Sequence, residues 1–295
     1  MSRKVLKTVG ECIYCGSTED LSEEHIVPYG LGAEWVLEKA SCRKHRDITS
    51  KFEMEILRKL WGPVRAAMNI QSRRGHEGKS YPVNIIQQNG ETATVHLDAA
   101  KFGAPMHYLM LPCPRYLSGE ISDEDLSFHG RVTHILPDPE RFRNEMRRAF
   151  NPKRVDITIS FRPVAFAQLL AKIAYGFAIG HYGIEGIETC YLLNAIDTGA
   201  GIGRWVGCLD HGSTSAGKEL IEIEGGFINT QCRDIVVQIR LYGSLRSPTY
   251  IVVVGEPKAG LVSGLAFPST TYPGAIREIE IIRLYGASHA EWAGL

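Results

Sequence analysis

The sequence carries little net charge and lacks the usual marks of a membrane or secreted protein. Its 33 Lys and Arg residues balance its 33 Asp and Glu residues, so no overall positive field favours nucleic acid as a partner. There is no run of about 18 apolar residues and no apolar segment at the N-terminus, so we expect neither a membrane span nor a signal peptide. Any contact with DNA must then come from a local basic patch.

Cysteine is sparse for a disulfide-stabilised protein. The sequence has seven cysteines, an odd number, and the first three belong to a candidate metal site: Cys12, Cys15 and Cys42. This usage is typical of a reducing compartment, so we expect a cytoplasmic protein. The later cysteines show no ligand spacing and are predicted to be buried fillers of the core: Cys113, Cys190, Cys208 and Cys232.

A nucleotide-binding signature is also absent. Residues 199–204 are rich in glycine but lack the Gly-Lys-Ser/Thr ending of a phosphate loop, so we interpret them as a turn. No repeat or low-complexity tract is evident. With 295 residues, 44% hydrophobic and 22% charged, the composition is that of an ordinary globular protein with one large or two modest domains.

What the sequence does contain is a set of metal-ligand pairs near the N-terminus. Cys12 and Cys15 form a Cys-x-x-Cys turn followed by Gly16, and Cys42 and His45 form a Cys-x-x-His pair. Side chains three residues apart on a tight turn reach one metal ion, and a second pair completes the four-coordinate shell that zinc prefers. A lone Cys-x-x-Cys would suit a redox pair or buried thiols better. The second pair favours a structural zinc.

Between the two pairs lies the segment Glu24-His25-Ile26-Val27-Pro28. Together with the cysteine pairs, it resembles the zinc-bound subgroup of the HNH endonucleases over residues 10–55. The resemblance implies a strand-hairpin-helix unit, the ββα-metal fold, in which zinc only staples the structure. It also implies that His25 is the general base that activates water and that Glu24 is a ligand of a catalytic Mg²⁺ or Mn²⁺.

The chemistry of the two side chains suits those roles. A neutral imidazole with a pKa near about 6.5 abstracts a proton at neutral pH. A carboxylate is a natural ligand for a hard divalent cation, which stabilises the charge of a phosphate transition state. The alternative is structural, with His25 bonded to a carbonyl at the end of a strand and Glu24 solvated.

The sequence departs from the family pattern directly after the last zinc ligand. Family members usually carry Asn or His there as a second ligand of the catalytic metal, but this chain has Arg46. Asp47 is the next residue and our first candidate for that ligand, and Glu53 is a weaker one. If neither carboxylate serves, the unit is inactive or only binds its partner.

The rest of the chain predicts an α+β protein in which the ββα-metal unit is followed by a larger, strand-rich mixed domain. We assign residues 1–62 to the nuclease unit, residues 63–80 to a basic linker loop and residues 81–295 to a recognition or sensor domain. Within the nuclease unit, we expect a helix that begins at residue 49 and ends at Gly62-Pro63. Strands are expected at residues 81–86, 92–97, 106–111, 131–136, 155–161, 203–209, 220–224, 235–241, 250–254 and 276–284. Helices are expected at residues 139–150 and 163–182.

Basic residues near the nuclease unit are the candidates for DNA contact. A flexible basic loop there suits phosphate binding, although it is equally typical of a solvated loop. The arginines of residues 139–150 are spread around their helix, which favours a solvated surface. The candidate contacts are Arg46, Arg65, Arg73, Arg74 and Lys79.

These observations lead to one main hypothesis and one alternative. The main hypothesis is a metal-dependent HNH endonuclease that hydrolyses DNA phosphodiester bonds with His25 as base, a structural Zn²⁺ and a catalytic Mg²⁺ or Mn²⁺. Its expected partner is DNA, and a protein or a small-molecule trigger is expected to act through the C-terminal domain. The alternative is a non-catalytic zinc module that recognises nucleic acid or protein. A small-molecule enzyme in the C-terminal domain has no motif to support it.

Overall fold

The computed structural model describes residues 3–70, 80–119, 130–157, 159–208, 220–229, 233–260 and 282–285. These residues form a mixed α/β structure with several sheets. The helices are α1 (Arg43–Glu55), α2 (Gly62–Ala67), α3 (Ala99–Phe102), α4 (Arg115–Ser118), α5 (Pro139–Ala149), α6 (Pro163–Tyr182) and α7 (Leu193–Thr198). The strands are β1 (Lys4–Thr8), β2 (Ser22–His25), β3 (Trp35–Ser41), β4 (Ser80–Ile86), β5 (Thr92–Asp98), β6 (Met106–Met110), β7 (Arg131–Ile135), β8 (Arg154–Asp156), β9 (Ile187–Cys190), β10 (Val206–Cys208), β11 (Ile221–Asn229), β12 (Arg233–Leu241), β13 (Tyr250–Pro257) and β14 (Ile282–Tyr285).

The N-terminal sheet has the strand order β1-β3-β2. β1 runs parallel to β3, whereas β2 and β3 are antiparallel, with an irregularity between Ser22 and Glu24. The connection from β2 to β3 contains a 3-10 turn that ends at Gly32, whose φ of 86° suits glycine. After this connection, β3 leads through Cys42 directly into α1, so the order along the chain is strand, connection, strand and helix.

The first helix begins earlier than the sequence pattern predicted. We expected helical structure from residue 49, but α1 starts at Arg43, so that His45 lies in its first turn. A π-helical turn (Ile56–Leu60) follows, and α2 then begins with Pro63 in its first turn, a position that proline tolerates because no N–H is needed there. Part of the predicted linker, residues 63–67, is therefore helical and not a loop.

Helix α6 is the central helix of the core. It spans the predicted residues and is buried along most of its length. Contrary to the expectation from the sequence, it is long and apolar enough to cross a membrane, but 83% of its most apolar window is buried inside the protein. It packs against α1 on one side and against β12 and β13 on another, as a core helix does.

The C-terminal strands form a larger sheet in the order β10-β13-β12-β11-β14, and β9 also pairs with β13. Two smaller sheets are built from β5-β4-β8 and from β6-β7. The strands predicted from residue 81 to residue 136 are confirmed within a residue or two. The segment predicted at 155–161 is a strand only as far as Asp156, and residues 276–281 of the last predicted strand lie outside the described residues.

One continuous apolar cluster joins the two parts of the chain. Its buried members run from Cys12 in the N-terminal unit to Val254 in β13. Small residues on α6 allow the close approach, since a Cβ at Gly176 would lie 3.3 Å from the Ile26 side chain. The N-terminal unit is thus packed into the rest of the protein, and the domain boundaries at residues 62 and 80 stay predictions.

A buried histidine makes the fold sensitive to acid. His107 on β6 is only 5% exposed, and its ring centroid lies 6.0 Å from that of His134 on β7. Burial and, to a lesser degree, His134 lower the pKa of His107 to about 4. An unfolded histidine takes up a proton near about 6.5. Stability present at neutral pH should therefore be lost as the pH falls from about 6.5 towards 4.

We predict that His107→Gln flattens this pH dependence. Between pH 7 and pH 4.5, the free energy of unfolding measured with urea should fall by up to roughly 3 kcal/mol more in the wild type than in the variant. The reason is that the unfolded wild type binds a proton at His107, whereas glutamine binds none. His96→Gln, at an exposed position on β5, is the control and should follow the wild type. Parallel pH curves for wild type and His107→Gln would contradict the assignment.

Candidate metal centre and the adjacent charge cluster

Cys12, Cys15, Cys42 and His45 lie together, as their spacing predicted. Their ligand atoms all lie within 4.8 Å of one another, a cluster suited to holding a metal ion. Cys15 Sγ is 3.9 Å from Cys42 Sγ, and His45 Nδ1 is 3.5 Å from Cys12 Sγ and 3.3 Å from Cys42 Sγ. A tetrahedral zinc site with ordinary bond lengths requires about 3.8 Å between sulfurs and about 3.6 Å between sulfur and nitrogen. The donor set and its spacing are therefore compatible with a structural zinc.

Local backbone structure aims these side chains at one point. Cys12 and Cys15 lie on a turn in which the N–H groups of Cys15 and Gly16 both bond to the Cys12 carbonyl, and Gly16 takes a φ of 72° that favours glycine. Cys42 is the residue before the first turn of α1, and His45 lies inside that turn. The turn that carries Cys12 and Cys15 is also fixed to the core, because Tyr175 of α6 donates a hydrogen bond of 2.6 Å to the Ile13 carbonyl.

The thiols of the cluster differ in their acidity. Burial opposes ionisation of Cys42, but hydrogen bonds from the backbone and ring of His45 and from the neighbouring thiols outweigh it and lower the pKa of Cys42 to about 6. Burial raises the pKa of Cys12 to about 11. Because zinc binds thiolates, loading the site at neutral pH must release the proton of Cys12.

Asp197 is a neighbour of the cluster that sequence reasoning missed. Its Oδ1 lies 3.4 Å from Nε2 of His45, on the side of the ring away from the sulfurs. A metal bound through Nδ1 leaves the proton of the ring on Nε2, and the negative charge of Asp197 nearby favours this tautomer. The ring of Tyr14 stacks on His45 with centroids 5.2 Å apart. Asp197 lies on α7, far along the chain, and no spacing signal connects it to His45.

A buried charge cluster lies next to the β2 strand end. Nζ of Lys172 on α6 is 2.8 Å from Oε1 of Glu24 and 2.8 Å from Oε1 of Glu53, and it donates to the His25 carbonyl. The side chains of Lys172 and Glu24 are 1% and 5% exposed. We call Glu24, Glu53 and Lys172 the charge triad. It joins β2, α1 and α6 at one point.

The protonation of the charge triad follows from its burial and its neighbours. Burial alone would lower the pKa of Lys172, but the charges of Glu24 and Glu53 outweigh it and raise the pKa above its usual value. Lys172 is therefore a buried ammonium. Burial raises the pKa of Glu53, an effect that the Lys172 charge opposes and the Glu24 charge reinforces.

The residues predicted to hold a catalytic metal are only partly brought together. Asp47, our first candidate for the second ligand, lies on an exposed position of α1. Glu53, the weaker candidate, lies close to Glu24, and Lys172 Nζ contacts both carboxylates. Over the described ranges, the zinc-type cluster is the one group of three or more His, Cys, Asp and Glu residues whose ligand atoms lie close enough together to hold a metal ion.

The predicted DNA contacts have varied surroundings. Arg46 lies 3.4 Å from Asp20 in an exposed ion pair. Arg65 donates hydrogen bonds to the carbonyls of Gly30 and Leu57, and burial lowers its pKa, so its guanidinium is used within the fold. The remaining three lie outside the described residues: Arg73, Arg74 and Lys79.

No family model, no curated protein and no solved structure matches the chain. The resemblance to HNH endonucleases therefore rests on the motifs of residues 10–55 alone. Function has to be argued from the chemistry of the site.

We predict that Asp197 tightens zinc binding. Asp197→Asn removes the negative charge that lies 3.4 Å from Nε2 of His45, and the dissociation constant for zinc should rise by about 10- to 100-fold. Competition with a chromophoric chelator measures it on protein that holds one zinc per chain. Asp47→Asn, the same change at an exposed carboxylate of α1, should leave the affinity unchanged. Equal affinities for wild type and Asp197→Asn would contradict the role of Asp197.

Proposed function

We propose that this protein is a zinc-stapled, metal-dependent endonuclease of the HNH type that hydrolyses DNA phosphodiester bonds. The observation that carries the proposal is the convergence of Glu24 and Glu53 on one cationic position beside His25. Two carboxylates that converge on one point offer the oxygen ligands that a hard divalent cation prefers. The order β2, β3, α1 supports the same assignment.

Zinc has a structural role in this proposal. Cys12, Cys15, Cys42 and His45 would fill a tetrahedral shell and leave no position for water or substrate, as in closed structural sites. The metal would join the turn after β1 to the start of α1 and so hold the hairpin against the helix. It supplies folding free energy and takes no part in hydrolysis.

The chain's own residues carry the reaction. His25, half-buried at the end of β2, accepts the proton of the attacking water. Glu24 and Glu53, rather than Glu24 and Asp47, hold the Mg²⁺ or Mn²⁺, which supplies positive charge to the phosphate when bound. Because Lys172 Nζ lies between these carboxylates, a divalent cation binds only when Nζ releases at least one of them.

Lys172 is also the observation that favours the second candidate function, a non-catalytic zinc module for nucleic acid or protein recognition. Its ammonium already balances Glu24 and Glu53 without a metal ion. The presence of Arg46 directly after the last zinc ligand also favours this second function. For the nuclease the partner is DNA, and for the binding module it is nucleic acid or a protein. In both cases residues 81–295 would take up a protein or small-molecule signal. The cysteines that the structure describes form no disulfide with one another, which supports a cytoplasmic location.

We predict that His25→Ala abolishes DNA cleavage. Wild-type protein with Mg²⁺ or Mn²⁺ should nick supercoiled plasmid, and the variant should lose about 10²- to 10⁴-fold in rate, the usual contribution of a general base. His96→Ala, at an exposed histidine of β5, is the matched control and should cleave normally. Cleavage that survives His25→Ala would remove this mechanism, and absence of wild-type cleavage with DNA still bound would favour the binding module.

We predict that Lys172→Met destabilises the protein and that Mn²⁺ reverses the loss. The variant leaves the buried carboxylate of Glu24 and the partly buried one of Glu53 without Lys172, and the free energy of unfolding should fall by about 3–5 kcal/mol. If Glu24 and Glu53 form a cation site, millimolar Mn²⁺ should raise the melting temperature of Lys172→Met.

The control for this experiment is the double variant Lys172→Met/Glu24→Gln. It lacks one of the two carboxylates, so Mn²⁺ should not stabilise it, and zinc content should be the same in all variants. If Mn²⁺ does not raise the melting temperature of Lys172→Met, the assignment of Glu24 and Glu53 as cation ligands is wrong. That outcome would favour the non-catalytic module.

A further inference from the structure

A basic groove lies away from the metal centre, between α5 and the chain that leads into β8. It encloses about 330 Å³. Phe142 and Met146 of α5, both buried, are part of its apolar floor. Its rim is cationic, and we call Arg143, Arg147, Lys153 and Arg154 the rim cations. None of the residues that line the groove is acidic.

The rim cations come from two separate segments. Arg143 and Arg147 are one helical turn apart on α5 and so share a face. After α5, Asn151 takes a φ of 42° and the chain turns back, and Lys153 is fixed by a 2.8 Å bond from its N–H to the Ile86 carbonyl of β4. Positive side chains from two segments thus line one groove together with apolar residues.

Most of this charge is not neutralised within the described ranges. Arg154 pairs with Asp156 at 2.7 Å. Across the part of the chain that the structure describes, no carboxylate lies within ion-pair distance of Arg143, Arg147 or Lys153. Arg141 on the same helix is different, because it donates to the backbone carbonyls of Ala100 and Lys101 and so supports the fold. The groove concentrates free positive charge in a chain whose net charge is zero.

We propose that the groove between α5 and β8 binds the sugar–phosphate backbone of nucleic acid. Paired guanidinium groups bind phosphate oxygens in a forked geometry, and an apolar floor suits the faces of the sugars. Such contacts position a duplex or strand without reading its sequence. The choice of nucleic acid over another polyanion rests on the proposed function. The groove itself would serve the nuclease and the binding module equally.

The test is DNA binding by the full-length protein, measured by fluorescence anisotropy without added divalent cation, so that no cleavage is needed. Arg143→Gln/Arg147→Gln should weaken binding of a labelled duplex by about tenfold or more. It should also reduce the slope of log K against log salt by about 2, because two phosphate contacts are lost.

A charge-matched control separates the groove from general attraction. Arg131→Gln/Arg148→Gln removes two exposed arginines that do not line the groove, one on β7 and one on α5, and should bind almost as well as wild type. An equal loss in both double variants would overturn the proposal. His25→Ala should bind normally, so failure of the nuclease mechanism and failure of the groove give different results.

A competition arm distinguishes nucleic acid from an acidic protein partner. Poly-glutamate of the same charge as the duplex should displace it only weakly. Displacement as effective as that by unlabelled duplex, lost in Arg143→Gln/Arg147→Gln, would show that the groove takes acidic peptides and would overturn the assignment to nucleic acid.

Discussion

The buried ammonium of Lys172 is the interaction on which the N-terminal unit depends. A charge that is almost wholly removed from water is tolerated only when carboxylates and carbonyls surround it, and here Glu24, Glu53 and the His25 carbonyl do so. Because these partners come from β2 and α1, the lysine fixes the strand end and the helix relative to α6. The same geometry that stabilises the unit also determines which carboxylates could share a cation.

Helix α1 is held at both ends by chemistry of different kinds. At its start, His45 joins three thiols and faces Asp197 of α7. Near its other end, Glu53 joins the charge triad. The zinc-type cluster and the charge triad are thus connected to each other through α1 and α6. The proximity of His45 and Asp197 also connects the N-terminal unit to α7.

The proposed contact with DNA is compatible with zero net charge because the basic residues differ in their surroundings. Several basic residues are committed to the fold, such as Lys172 in the charge triad and Arg65 on the carbonyls of Gly30 and Leu57. Others, such as Arg143 and Arg147, are left on a groove rim. Composition cannot separate these two groups, because each arginine or lysine counts the same until its neighbours are known. Local surroundings decide which of them can meet a phosphate.

Local sequence determined the elements whose signals are local. The zinc-type cluster followed from ligand spacing on two turns, and α6 followed from its apolar run, Pro163 and Gly183. The start of α1 at Arg43 escaped prediction because residues 43–48 show little apolar periodicity. Tertiary structure alone decided that Glu53 rather than Asp47 meets Glu24, that Lys172 lies between them, and that Asp197 faces His45. These contacts join residues far apart in the chain, and only the packing of α6 and α7 against the N-terminal sheet and helix creates them.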